Sequence, residues 1–118
     1  MSGESYNVTL SAQSGLASWS TPWIPVGVGG WRDLSVTLAW SAVASTSGTL
    51  SVEGTDDPTG TIAVPLTVDV AHGAWPTVGA TADKSLVVLS DCPGYVRVVY
   101  TRSAGGGAGQ FTGAYTAV

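Results

Sequence analysis

The sequence predicts an all-β domain, a two-sheet antiparallel sandwich of about seven or eight short strands. Three observations predict it. Apolar residues recur with period two along most of the chain, turn-forming clusters interrupt them, and no run of ten or more residues has helical apolar spacing.

Tyr6, Val8 and Leu10 alternate as a first strand. Residues 18–28 hold Trp19, Trp23, Ile24 and Val26 with Pro22 and Pro25, which reads as a kinked extended segment. Leu34, Val36, Leu38 and Trp40 alternate with Ser35, Thr37, Ala39 and Ser41, a strand with one buried face. Leu50 and Val52 repeat the pattern, which stops at the turn Gly54-Thr55-Asp56-Asp57-Pro58. Ile62, Val64, Leu66 and Val68 alternate again. Pro65 lacks an N–H and assigns this strand to an edge or to a break. Residues 71–76 read as a loop. Leu86 to Leu89 is a short continuous apolar run, expected of a strand covered on both faces. Asp91-Cys92-Pro93-Gly94 turns the chain into a strand with Val96, Val98 and Tyr100 on one face. Phe111, Gly113 and Tyr115 alternate in the last strand, and the glycine-rich residues 103–109 read as the hairpin loop before it.

A chain of 118 residues is one domain, residues 1–118, with residues 1–5 as a short polar N-terminal arm. At this length folding buries about 65% of the extended surface, enough for a core without staples. The single cysteine, Cys92, cannot form an internal disulfide and is read as a small buried hydrophobe, with an intermolecular bridge as the alternative. Charged residues are 10% of the chain, against roughly 25% in an average soluble domain. So weakly charged a surface predicts that part of it is covered by a partner. The net charge of -4 and four scattered basic residues, Arg32, Lys84, Arg97 and Arg102, argue against nucleic acid as that partner. Residues 1–10 lack the pattern of a secretory signal, and no apolar run approaches the ~20 residues that span a bilayer. The expectation is a protein made in a cytoplasm and soluble there until it assembles, so that Asn7-Val8-Thr9 is a chance glycosylation sequon.

Catalytic chemistry finds no footing. The one histidine, His72, precedes a glycine without a nucleophile signature nearby, and reads as a surface-loop residue. Cys92 and His72 cannot supply the four ligands of a structural zinc site. Glu53, Asp56 and Asp57 could begin a calcium shell, but the regular acidic spacing is missing and a turn stabilised by its own aspartates is the simpler reading. Two carboxylates in one turn do not make a glycosidase pair either. Gly105-Gly106-Gly107-Ala108-Gly109 lacks the lysine and the following helix of a phosphate cradle. No catalytic residue, metal or cofactor is expected, and the chain is read as a non-enzyme.

Five tryptophans stand out. Trp40 is in phase with its strand and reads as core. Trp19, Trp23, Trp31 and Trp75, together with Tyr6, are candidate interface residues, since each large ring carries one polar group. For the loop tryptophans three readings stand: plugs for the open end of the sandwich, a subunit interface, or a carbohydrate platform. Arg97 lies opposite Val96 and Val98, either as a solvated residue or as the partner of an acid such as Glu53 on a neighbouring strand.

Two stretches carry a resemblance. Gly48-Thr49-Leu50-Ser51-Val52-Glu53-Gly54-Thr55-Asp56-Asp57-Pro58 resembles the strand and acidic turn of small virion proteins of tailed bacteriophages. Gly94-Tyr95-Val96-Arg97-Val98-Val99-Tyr100-Thr101, with residues 111–115, is similar to their closing β-hairpin, and Trp23-Ile24-Pro25-Val26 to an upstream edge strand. The resemblance implies a capsid decoration, or cement, protein with a jelly-roll-like sandwich on the outer capsid surface of the virion. Its partners would be the major capsid protein of the same virion and further copies of itself, as a homotrimer bridging capsomers. Two alternatives accompany it: a tail, baseplate or fibre-attachment component, and a carbohydrate-binding module whose glycan stacks on the tryptophans.

Overall fold

The computed structural model describes residues 6–14, 18–41, 47–57, 59, 62–79, 81–104 and 110–118. The arm at residues 1–5 and the glycine cluster at 105–109 lie outside the described residues. The strands are β1 (Tyr6–Ser14), β2 (Trp19–Ser20), β3 (Ile24–Pro25), β4 (Leu34–Trp40), β5 (Ser47–Thr55), β6 (Val64–Leu66), β7 (Val70–Gly73), β8 (Thr77–Val78), β9 (Asp83–Leu89), β10 (Tyr95–Ala104) and β11 (Gln110–Ala117). No helix occurs among the described residues.

Alternation sets the faces. Leu34, Val36, Leu38 and Trp40 of β4 are buried, and so are Leu50 and Val52 of β5 and Val96, Val98 and Tyr100 of β10. Pairing then sorts the strands into two antiparallel sheets, β1-β11-β4-β9-β7 and β2-β10-β5-β6; β3 adds to β10 and β8 to β5. β2 and β3 run along one edge of β10 as halves of a single interrupted strand.

The order has a simple logic. β1 pairs with β11, β2 and β3 with β10, β4 with β9, and β5 with β6. The first half of the chain thus pairs with the second half in reverse, as one long ribbon. Folding the ribbon over brings β11 beside β4 and β10 beside β5. Two sheets closed in that way form a jelly roll. Their inner faces share one core, in which Trp19, Tyr100, Phe111 and Trp40 pack at one end, with the Tyr100 and Phe111 ring centroids 4.6 Å apart.

Several sequence expectations are corrected. β10 and β11 do not form a hairpin, since they belong to different sheets and their partners are β5 and β4. Parity assigns a residue to a face but says nothing of which strand lies alongside. Residues 71–76 are not all loop: Val70–Gly73 forms edge strand β7 on β9, and only residues 74–76 turn. Gly73 closes that strand at φ 78°, where any Cβ would run into the Lys84 carbonyl. The run Leu86 to Leu89 is covered on one face alone: Val87 and Leu89 are buried, whereas Leu86 and Val88 are half-exposed on the outside. The alternation from Ile62 to Val68 yields only the three residues of β6, at a sheet edge as Pro65 requires.

Candidate interaction surface

The tryptophans separate by depth. Trp40 is 6% exposed, in the core. Trp19, Trp31 and Trp75 are half-buried against that core, as plugs for the sandwich. Trp23 alone of the five lies away from the core cluster. Tyr6 belongs to β1 opposite Ala117, and its side chain lies outside the described residues.

The backbone explains why Trp23 differs. Pro22 interrupts the edge strand between β2 and β3. Thr21 takes over the local hydrogen bonding: its N–H donates to the Val98 carbonyl and its hydroxyl accepts from the Val98 N–H, at 2.9 and 3.0 Å. An interruption at a sheet edge re-aims a side chain. Here the Trp23 ring meets the Arg97 guanidinium, whose central carbon stands 4.3 Å from the ring centroid. Arg97 is opposite Glu53 in register and bonded to its carboxylate at 2.8 Å. Of the two readings of Arg97, the partnered one holds. The outer face of this sheet therefore carries a cation held by both an indole and a carboxylate.

The outer face of the five-stranded sheet is different in kind. Register aligns Val70, Val88, Ser35 and Thr116 in one row and His72, Leu86, Thr37 and Ala114 in the next, with Lys84, Ala39 and Thr112 in a third. All of these are exposed or half-buried, and Val70 is 44% exposed. The acidic residues of the described chain sit elsewhere. Glu53 is on the other sheet, Asp56 and Asp57 in the turn after β5, Asp33, Asp69 and Asp91 in connections, and Asp83 in the row of Trp40. Among the described residues, this anionic chain thus has one broad face with no acid on it. Sequence reasoning missed this face; the continuous run at Leu86 to Leu89 was its signal, misread as burial within the chain.

Among the described residues, no group of three or more His, Cys, Asp or Glu side chains is placed to hold a metal ion. His72 is exposed on edge strand β7. The turn aspartates serve the backbone: Asp56 accepts the Gly94 N–H at 2.9 Å, and Asp57 accepts the Thr59 N–H and hydroxyl at 3.0 and 2.7 Å. The Asp57 bonds are those of a turn stabilised by its own side chain, whereas Asp56 ties the turn to the chain just before β10. Cys92 is half-buried against the core, and burial pushes its thiol up to about 11.

The chain matches no protein-family model, no curated protein sequence and no solved structure.

Proposed function

We propose that the protein is a structural component of a tailed-phage virion, a decoration or cement protein of the outer capsid surface that ties neighbouring capsid subunits together. The acid-free outer face of the five-stranded sheet carries this reading. Val70, Leu86 and Val88 lie there among serine, threonine and alanine, with His72 and one charged residue, Lys84, so burying such a face desolvates little charge. The jelly-roll order is an architecture of shell-building proteins among others, so it supports the reading only as an analogy. Of the resembling stretches, residues of β5 and β10 are strands, while β10 and β11 do not pair as a closing hairpin.

Area sets the mode of action. Five strands spaced ~4.8 Å and about seven residues long at ~3.4 Å present roughly 500 Å². A stable interface takes about 800 Å² per partner, so one such contact alone is weak. A homotrimer touching several capsid subunits at once gains the remainder through effective concentration. The glycan reading loses support, because three of its four candidate rings pack on the core and Trp23 is taken by Arg97.

The test is electron microscopy of particles with and without the protein, beside its mass in solution. Extra density on the outside of the head and a trimeric mass are expected. Absence from particles, or density on the tail, overturns the proposal.

A further inference from the structure

Large hydrophobic side chains are concentrated where they are least expected. Among the described residues five are exposed, and three of them, Val28, Ile62 and Val64, stand at one end of the β5–β6 edge at 57%, 72% and 53%. Ile62 and Val64, with Leu66 and Pro93, line an open groove of about 420 Å³. Val28 stands close by, across Gly94 from Asp56. The groove exists because β5 has glycine at position 54. A Cβ there would lie 2.5 Å from the Pro93 ring and 2.8 Å from Leu66, so those two side chains close over the bare backbone as a floor.

The rim is acidic. Asp56, Asp57 and Asp91 line the groove and no lysine or arginine does. Asp91 is ion-paired with Arg32, and Asp56 accepts the Gly94 N–H. An apolar floor under carboxylates selects against a second copy of this acidic chain and for a cationic ligand with an apolar side chain.

We infer that the groove between Ile62, Val64, Leu66 and Pro93 docks a partner polypeptide segment in which an apolar side chain is flanked by lysine or arginine. The apolar side chain fills the groove over Gly54, and the flanking cations face Asp56 and its neighbours. This site is separate from the outer face of the five-stranded sheet and does not depend on the capsid reading. Its failure would leave that reading untouched, since particle occupancy is measured independently.

The probe is the capped pentapeptide Lys-Leu-Lys-Val-Lys, titrated into isotope-labelled protein and followed by amide chemical shifts. Saturable shifts confined to Gly54, Asp56, Ile62, Val64 and Gly94 are expected. Replacing Ile62 and Val64 together by serine should weaken binding by about tenfold or more, with the remaining spectrum unchanged. Raising salt from roughly 0.05 to 0.5 M should weaken it several-fold. The inference is overturned by any one of three results: no saturable shift at low millimolar peptide, equal affinity for the glutamate counterpart Glu-Leu-Glu-Val-Glu, or the same amides shifting with protein concentration alone, which assigns the groove to a second copy.

Discussion

Arg97 holds two partners at once, the Glu53 carboxylate on the next strand and the Trp23 ring above the edge. Both groups of the ion pair are about three-tenths exposed, so solvent screens the pair and its contribution is modest. Replacing Arg97 by alanine should cost about 1–2 kcal/mol from the lost pair and stacking contact. Trp23→Ala should cost about 1 kcal/mol, against ~3–5 kcal/mol for Trp40→Ala in the core. Urea unfolding of the three variants checks the order, and a Trp23→Ala loss as large as that of Trp40→Ala would place Trp23 in the core after all. Cys92 gives a pH signature. Desolvation first, then Asp33 and Asp69, raises its thiol from 9.0 to about 11 in the folded state. The folded chain therefore holds this proton more tightly than the unfolded one. Its contribution to stability is complete below pH 9 and is lost as the pH rises toward 11. Urea midpoints of the native chain should fall faster over that window than those of Cys92→Ala.

Strand interiors were legible because burial of one face imposes period two, as β4, β5 and β10 illustrate. What alternation does not encode is adjacency. β10 and β11 follow one another through a glycine-rich connection, the usual mark of a hairpin, yet the ribbon winding sends them to opposite sheets. β7 was illegible for another reason: all four of its residues are exposed, so no burial pattern marks it and only its pairing with β9 makes it a strand. The pair Arg97–Glu53 could be anticipated from parity, but Trp23 could not be told from Trp19 or Trp31, because the chain between β1 and β4 has no steady register. The groove depends on Gly54, Pro93 and Leu66 meeting from separate elements, which no local pattern reports. Close packing at this scale is testable at Gly48 of β5. A Cβ there would stand 2.5 Å from the Tyr100 ring and 2.6 Å from the Thr101 carbonyl, whereas at Gly79 it meets nothing within 4 Å. Gly48→Ala should destabilise by about 1–3 kcal/mol, and Gly79→Ala should be nearly neutral. Thermal unfolding of both variants decides it; equal midpoints would mean that the Tyr100 ring is free to move aside.

At the scale of the whole molecule, the acids are unevenly distributed. The acids of the described chain lie in the connections, at the β5 turn, on the outer side of the six-stranded sheet and, as Asp83, in the row of Trp40, while the outer face of β4, β7, β9 and β11 has none. That arrangement suits a protein that stays dissolved through one side and docks through the other. Thr37 and Ala114 face outward in the middle row of the sheet, paired with each other across β4 and β11. Glutamate at either position leaves the core untouched and places a charge in the centre of the proposed docking face. The decisive measurement for the proposed decoration role is co-sedimentation of the purified protein with tailed-phage heads, comparing the native chain with Thr37→Glu and Ala114→Glu. If this face docks, both variants should lose about tenfold or more in occupancy while their unfolding midpoints stay close to the native value. Undiminished occupancy of the folded variants would contradict it.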